Sequence, residues 1–357
     1  MHKACLILIG LILLSGCSKD DPESMMSDYM WRVANTLEAD IDNDLSYLDP
    51  LPLFPARRDR ILPVEEVRQG LLEVLDLKFC NILPLIAERN SSLGKVMLPS
   101  KQLAYELKFF AAIRDCKQRA ENSKALDAEP ELRQRIAEIY RVKRSNLHNT
   151  LWNGIYTARE VELQFTTTAE PLPLSAASGY AAASRSIGHL QLLSKALHDP
   201  EQWQLPPFLD SLESDYETLN SNRFGGQALR SLQLLTTTME RTSTAIESRL
   251  AGKPLCFKGH QTQKSTILNN VFQQHYARRF QPYLARVDRE TRAWIASQQA
   301  LLASFSPPPA MKSYIEKIYG EQNSLLSRYQ QARKQHIKSW QALLTQCGMM
   351  PGSRRTD

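Results

Sequence analysis

The 357-residue chain has little glycine, and this scarcity bounds its fold. It contains 14 glycines, while leucine, alanine, glutamine, glutamate, lysine and arginine are abundant. Such a composition favours helices over a sheet-rich fold. Beyond the first 16 residues, no apolar run approaches the roughly 20 residues that a membrane-spanning helix needs. We therefore predict an all-α protein whose body, past its N-terminus, is water-soluble.

Catalytic and metal-binding signatures are also missing. There is no C-x-x-C pair, and no histidine belongs to an H-x-x-x-H or H-E-x-x-H motif. Gly225-Gly226 lacks the Gly-Lys-Ser/Thr ending of a phosphate-binding loop. We expect no metal, no cofactor and no nucleic acid partner, and we favour a protein that is not an enzyme.

One short motif needs separate treatment, because Ser92-Leu93-Gly94-Lys95 matches the S-x-x-K pattern of penicillin-binding enzymes. The companion S-D-N and K-T-G motifs are absent, so we interpret the segment as a turn between two helices. Exposed polar loops often carry binding residues. Arg89, Asn90, Ser92 and Lys95 are therefore the first candidates for a binding surface.

The N-terminus has the pattern of an export signal. Met1-His2-Lys3 is weakly cationic, and the apolar run from Ala4 to Leu14 is too short to span a bilayer. The following Leu14-Ser15-Gly16-Cys17 resembles the lipobox of bacterial lipoproteins. The resemblance implies that residues 1–16 are removed and that Cys17 carries lipid. An ordinary secretory signal is the alternative.

The residue after Cys17 bears on the destination. In the lipoproteins that this motif resembles, Asp at that position favours retention in the inner membrane. Here the position is Ser18. The resemblance therefore implies an anchor in the outer membrane, facing the periplasm, rather than in the inner membrane.

Four cysteines remain after Cys5 leaves with the signal and Cys17 is acylated: Cys80, Cys116, Cys256 and Cys347. An even number in an oxidising compartment indicates two disulfides, for which three connectivities exist. We favour Cys80–Cys116 and Cys256–Cys347, because each pair joins segments that should pack as neighbours. Metal binding is the weaker alternative.

Apolar residues recur at three- and four-residue steps along most of the chain, which predicts an elongated bundle of about eight helices, several long and antiparallel, without a sheet. The predicted organisation begins with a signal at 1–16. Residues 17–63 comprise a lipidated cysteine, an acidic tether, a first helix and a proline-rich segment. A helical-bundle domain at 64–350 and a disordered tail at 351–357 follow. A helix of about 35 residues is expected from Glu129 to Phe165. Pro84 should kink or end its helix, and Pro282 should kink another.

Charge is unevenly distributed along the chain. Residues 18–50 hold 9 acidic and 2 basic side chains, whereas residues 251–357 hold 16 basic and 5 acidic ones. The two segments could neutralise each other within the fold. Alternatively, the basic third presents a face to an anionic envelope polymer or to lipid head groups.

The lipobox, the segment from Cys80 to Lys95 and the stretch from Tyr105-Glu106 to Cys116 together resemble a lipoprotein family of gammaproteobacteria, domain-of-unknown-function family 3080. The resemblance covers most of the mature chain. It implies a location in the envelope and transfers no catalytic residue.

Two hypotheses follow for the function. The first is a non-enzymatic helical scaffold or adaptor that is anchored to the membrane and binds a periplasmic protein or an anionic envelope polymer. The second is a periplasmic enzyme or ligand-binding protein with a site between helices. A deep pocket with unpaired polar groups would favour the second hypothesis, and a solid apolar interior would count against it.

Overall fold

The computed structural model describes residues 21–67, 77–174, 178–257 and 259–350. The predicted signal, the predicted lipidation site Cys17 and the predicted tail all lie outside these ranges. Within the described residues the protein is helical and contains no β-strand, so the predicted fold class is confirmed.

Eleven α-helices of eight or more residues are present in the described chain, more than the eight expected. In chain order, α1 to α11 are Pro22–Leu37, Leu83–Asn90, Pro99–Glu121, Pro130–Tyr156, Tyr180–Ser194, Leu212–Ser221, Phe224–Ala251, Gln263–Val271, Gln281–Leu302, Pro309–Tyr319 and Leu325–Gln346. A π-helix, Phe272–Phe280, joins α8 to α9 without a break and lies just before Pro282.

The extra helices arise where long predicted helices are divided. Pro84 does not end a helix: it lies in the first turn of α2, where its missing N–H is no loss. The helix expected to reach Phe165 ends at Tyr156, because Ala158 has extended backbone. The last predicted helix is split near Gly320 into α10 and α11.

The helices share one core of buried apolar side chains that extends from Met25 in α1 to Cys347 after α11. α7 packs along α11, α3 and α4 form a hairpin, and α1 packs against α7 and α8. α1, the first helix predicted within residues 17–63, thus packs into the same core as the helices that follow residue 64.

Two disulfides hold the ends of neighbouring segments together, and their pairing is the one predicted. Cys80 is bonded to Cys116 with a Cα–Cα distance of 5.0 Å. Cys256 is bonded to Cys347 with a Cα–Cα distance of 5.1 Å. All four residues are buried. The first bond attaches the segment before α2 to α3, and the second attaches the end of α11 to the loop after α7.

Candidate interaction surface

Residues 81–98, which we call the lobe, lie at the edge of the core: Ile82 is buried in it, and most of the other side chains are partly or fully exposed. The lobe comprises α2 and the turn that leads into α3, and none of the α2 residues is buried. Three apolar side chains of the turn are 55–81% exposed: Leu93, Val96 and Leu98. Neighbouring exposed apolar side chains of this kind commonly mark interaction sites.

The four residues predicted for a binding surface lie in the lobe. Asn90, Ser92 and Lys95 are exposed, whereas Arg89 is half-buried and its guanidinium donates to the Gly94 carbonyl. The structure therefore gives Arg89 a role in the turn itself. Ser92 and Lys95 are both open to solvent.

The turn of the lobe is closely packed. The Ser91 hydroxyl donates to the Glu88 carbonyl at 2.7 Å and accepts from the Gly94 N–H at 2.9 Å. A Cβ atom on Gly94 would lie 2.1 Å from the Glu88 carbonyl oxygen, so only glycine fits there. These contacts fix the turn, and the apolar side chains of the lobe are presented from a defined backbone.

A groove of about 500 Å³ adjoins the lobe. It lies between the start of α3, the second half of α4 and the segment of residues 39–67, which we call the strap and which is irregular apart from one helical turn at Arg57–Arg60. Ile61 and Val64 of the strap line this groove and are 40–47% exposed. Pro99, which directly follows Leu98, lines it too. We name the exposed apolar side chains of the strap and the lobe, which are Ile61, Val64, Leu93, Val96 and Leu98, the strap–lobe face.

Asparagines of α4 hold the strap by its backbone. Asn153 accepts from the Leu62 N–H at 2.8 Å and donates to the Leu62 carbonyl at 2.7 Å. Asn146 likewise accepts from the Glu65 N–H at 3.0 Å and donates to the Glu65 carbonyl at 2.7 Å. Asn149 donates to the Pro63 carbonyl at 2.7 Å. Because these bonds use backbone atoms, Ile61 and Val64 are left to face outward.

A buried arginine fixes the start of the same strap segment. Arg60 is fully buried, donates to the Tyr156 carbonyl and to the Glu162 carboxylate, and lies over the Phe54 ring at 4.5 Å. Burial lowers the pKa of Arg60, and the charge of Glu162 partly offsets that effect. Sequence periodicity gave no indication of this contact, because Arg60 follows a proline-rich stretch with no helical pattern.

A second groove, of about 1000 Å³, lies between α7, α11 and strap residues 47–52. Its lining is largely polar and includes Gln233, Thr237, Gln331 and the Glu240–Arg328 pair, which are joined at 2.6 and 2.8 Å. This groove is open to solvent. None of the four residues predicted for binding lines it.

The buried histidine His336 belongs to a hydrogen-bonded chain in the core. Trp340 Nε1 donates to Tyr29 Oη at 2.7 Å, and Tyr29 Oη lies 2.9 Å from His336 Nε2. Because Tyr29 accepts from Trp340, its single proton is available for His336. Burial lowers the pKa of His336 to about 3, so the ring is neutral at pH 7 and accepts that proton.

A half-buried histidine–carboxylate pair lies elsewhere in the fold. His189 Nδ1 is 2.8 Å from Asp215 Oδ2, and the ring is stacked on Phe208 with centroids 4.2 Å apart. The pair joins α5 to α6. We assign it a packing role, since no nucleophilic side chain is seen bonded to His189 in the described chain.

The acidic N-terminal segment is neutralised in part by the body of the protein. Four of its carboxylates form ion pairs with α7, α8 and the π-helix: Glu23–Arg230, Asp28–Arg279, Glu38–Lys264 and Asp42–Arg241. The hydrogen bond from Lys264 lowers the pKa of Glu38. Two of these cations belong to the basic C-terminal third, so internal neutralisation accounts for part of the charge asymmetry.

The described residues offer neither a metal site nor a membrane-spanning helix. No group of three or more His, Cys, Asp or Glu side chains could hold a metal ion in the part of the chain that the structure covers. Among the helices described above, none is long and apolar enough to cross a membrane.

The fold and this surface define an all-α, disulfide-bonded protein with exposed apolar side chains in the strap and in the turn that leads into α3. A family model described as protein of unknown function (DUF3080) matches residues 26–351, and the chain belongs to that family. No curated protein and no solved structure matches the chain. The resemblance seen in the sequence is thus confirmed for the family.

Proposed function

We propose that this protein is a lipoprotein of the outer membrane, facing the periplasm, that acts as a non-enzymatic scaffold for a partner protein. The strap–lobe face carries the proposal. Two of its exposed apolar side chains, Ile61 and Val64, line a groove, and Leu93, Val96 and Leu98 are exposed on the turn that leads to Pro99 at the edge of that groove. Asn146, Asn153 and the Gly94 turn fix the backbone that carries these side chains. A rigid apolar patch of this kind is suited to contact another protein.

The anchor in this proposal is supported by two independent features. One is the Leu14-Ser15-Gly16-Cys17 motif after a short apolar run. The other is the pair of disulfides, since such bonds persist in oxidising compartments. Several acyl chains on Cys17 would hold the protein firmly on a bilayer.

Globomycin, which inhibits lipoprotein signal peptidase, tests the anchor. We expect the unprocessed precursor to accumulate in treated cells, and labelled palmitate to enter the wild-type protein but not Cys17→Ser. Density fractionation should place the wild type with the outer membrane. Normal processing under the drug would contradict the anchor.

The partner is tested by quantitative co-purification after crosslinking of intact membranes. The double variant Leu93→Ser/Val96→Ser should recover at least tenfold less of any partner, because fully burying each side chain contributes about 1.5–3 kcal/mol. Leu192→Ser, at an exposed leucine of α5, is the matched control and should recover the wild-type amount. Equal recovery by both variants would contradict a role of this face.

The polar groove between α7 and α11 favours a second candidate function, the binding of a soluble ligand. Its volume of about 1000 Å³ suits a small molecule. Gln331→Trp should obstruct it, so a ligand that raises the thermal midpoint of the wild type should raise that of the variant much less. An equal shift in both would exclude this groove as the site.

A further inference from the structure

The exposed tryptophan Trp31 is unusual in this fold. It lies on α1 and is 52% exposed, whereas Trp152, Trp294 and Trp340 are buried and Trp203 is half-buried. A large aromatic side chain with a polar N–H is well suited to the boundary between a membrane and water. Trp31 is thus the most exposed of the five tryptophans.

The surroundings of Trp31 are cationic. The Arg32 guanidinium lies 5.7 Å from the centroid of the Trp31 ring and pairs with Asp28 at 2.9 Å. Arg279 approaches the same carboxylate at 3.7 Å, and its neighbour Arg278 is exposed. Arg32 and Arg279 thus share one carboxylate, and with the exposed Arg278 the named patch holds three cations and one anion.

The distance along the chain from Cys17, the predicted lipid site, to Trp31 is short enough for the patch to reach the bilayer. Cys17 and Asp21, the N-cap of α1, are four positions apart in the sequence, so the chain between them spans at most about 14 Å. Trp31 lies ten residues further along α1, about 15 Å at the rise of an α-helix. The bilayer that holds the lipid is therefore within reach of the patch.

We propose that Trp31, Arg32, Arg278 and Arg279 form a membrane-contact patch that binds anionic phospholipid head groups next to the lipid anchor. The proposal deepens the proposed function, since it rests on acylation of Cys17. Arginines supply attraction to the head groups, and Trp31 enters the interfacial region. The bundle would then lie with α1 and the π-helix against the membrane.

The patch is tested without the lipid, using the mature chain with Cys17→Ser and vesicles of brominated phosphatidylcholine and phosphatidylglycerol. Bromine quenches tryptophan fluorescence only at close range, and Trp31 is the most exposed of the five. We expect quenching on anionic vesicles that falls with added salt. Trp31→Phe should abolish the quenching.

Charge is tested with Arg278→Gln/Arg279→Gln, which should weaken partitioning about fivefold for each arginine removed. Arg119→Gln/Lys124→Gln, at exposed cations near the α3–α4 turn, is the matched control and should partition like the parent. Circular dichroism would establish that all variants are folded. No quenching in the parent, quenching retained in Trp31→Phe, or equal loss in both double variants would overturn the patch. Since the chains carry no lipid, that result would leave acylation of Cys17 standing.

Discussion

His336 illustrates how a polar residue is accommodated in this core. Its ring is fully buried in α11 and receives the Tyr29 proton, so it must be neutral in the folded protein. Burial lowers the pKa of His336 to about 3 from an unfolded value of about 6.5. Between these values the unfolded chain binds a proton that the folded chain does not.

We therefore expect His336 to contribute stability that is fully present above pH 6.5 and is lost as pH falls from 6.5 towards 3. Within that pH range, the free energy of unfolding that His336 contributes should fall by up to about 1.4 kcal/mol for each pH unit. Urea unfolding of the wild type and His336→Gln from pH 4 to 8 measures it, and the variant should show the shallower slope. Identical slopes would contradict a neutral buried ring.

Sequence alone located the apolar face of α11 but not this network. Helical spacing placed His336 within a helix pattern, while its partners Tyr29 and Trp340 are more than 300 residues apart. No local pattern reports such a contact. The cysteine pairing was predictable because it followed from the order of helices and hairpins, which local periodicity does indicate.

The strap is an element without helical periodicity, and α4 supplies the partners for its backbone. Asn146 is buried and satisfies both polar groups of Glu65. Asn146→Ala should lower the free energy of unfolding by about 1–3 kcal/mol, because it removes two partly buried hydrogen bonds to the strap that contribute about 0.5–1.5 kcal/mol each. Hydrogen exchange at the Glu65 amide should accelerate as well.

The neighbouring Asn149 is the control for this prediction. It makes a single bond to the strap, at the Pro63 carbonyl, in an exposed position. Asn149→Ala should therefore cost less than about 1 kcal/mol and leave the Glu65 amide protected. If both variants behaved alike, the strap would not be held as we describe.

The lobe depends on glycine at one position. Gly94→Ala would place a methyl group against the backbone carbonyls of Glu88 and Arg89, so the turn must open. We expect the free energy of unfolding to fall by about 1–3 kcal/mol and hydrogen exchange to become faster across residues 83–98. Gly188→Ala in α5 is the control, since no atom lies within 4 Å of the added Cβ and alanine favours the helix. Unchanged exchange in Gly94→Ala would contradict a fixed turn.

At the scale of single elements, the sequence predicted the presence of helices well but predicted their ends poorly. Pro84 was expected to end or kink a helix and instead begins α2, since proline is tolerated in a first turn. The break after Tyr156 was missed because the apolar spacing continues through Val161 and Phe165, both buried beyond it. Tertiary packing, not local preference, decides those boundaries.

The two disulfides act on the whole molecule, because each closes a long loop. The bonded cysteines are 36 and 91 residues apart. A disulfide stabilises the folded state by restricting the unfolded chain, and more so for a longer loop. On this basis, removing Cys80–Cys116 should lower the free energy of unfolding by about 4 kcal/mol, and removing Cys256–Cys347 should lower it by about 5 kcal/mol. Urea unfolding of the paired Cys→Ser variants measures both losses. Unfolding that is unaffected by either pair would contradict the pairing.

The arrangement of charge also belongs to the whole molecule. Local composition could not decide between neutralisation within the fold and a basic outer face. The structure contains both neutralised and exposed cations. Glu38 pairs with Lys264 and Asp28 with Arg279, while Arg278 is exposed. Composition gave the asymmetry, and only the packing of α1 against α8 and the π-helix shows which cations are neutralised.

The central claim is that the strap–lobe face binds a partner protein at the membrane. Site-specific photo-crosslinking in living cells tests it most directly, with the crosslinker placed at Val96 and, as a control, at Leu192 of α5. We predict one adduct of defined mass from Val96 that is absent from Leu192 and is lost when Leu93→Ser is added. No adduct from Val96, or the same adducts from both positions, would contradict the account.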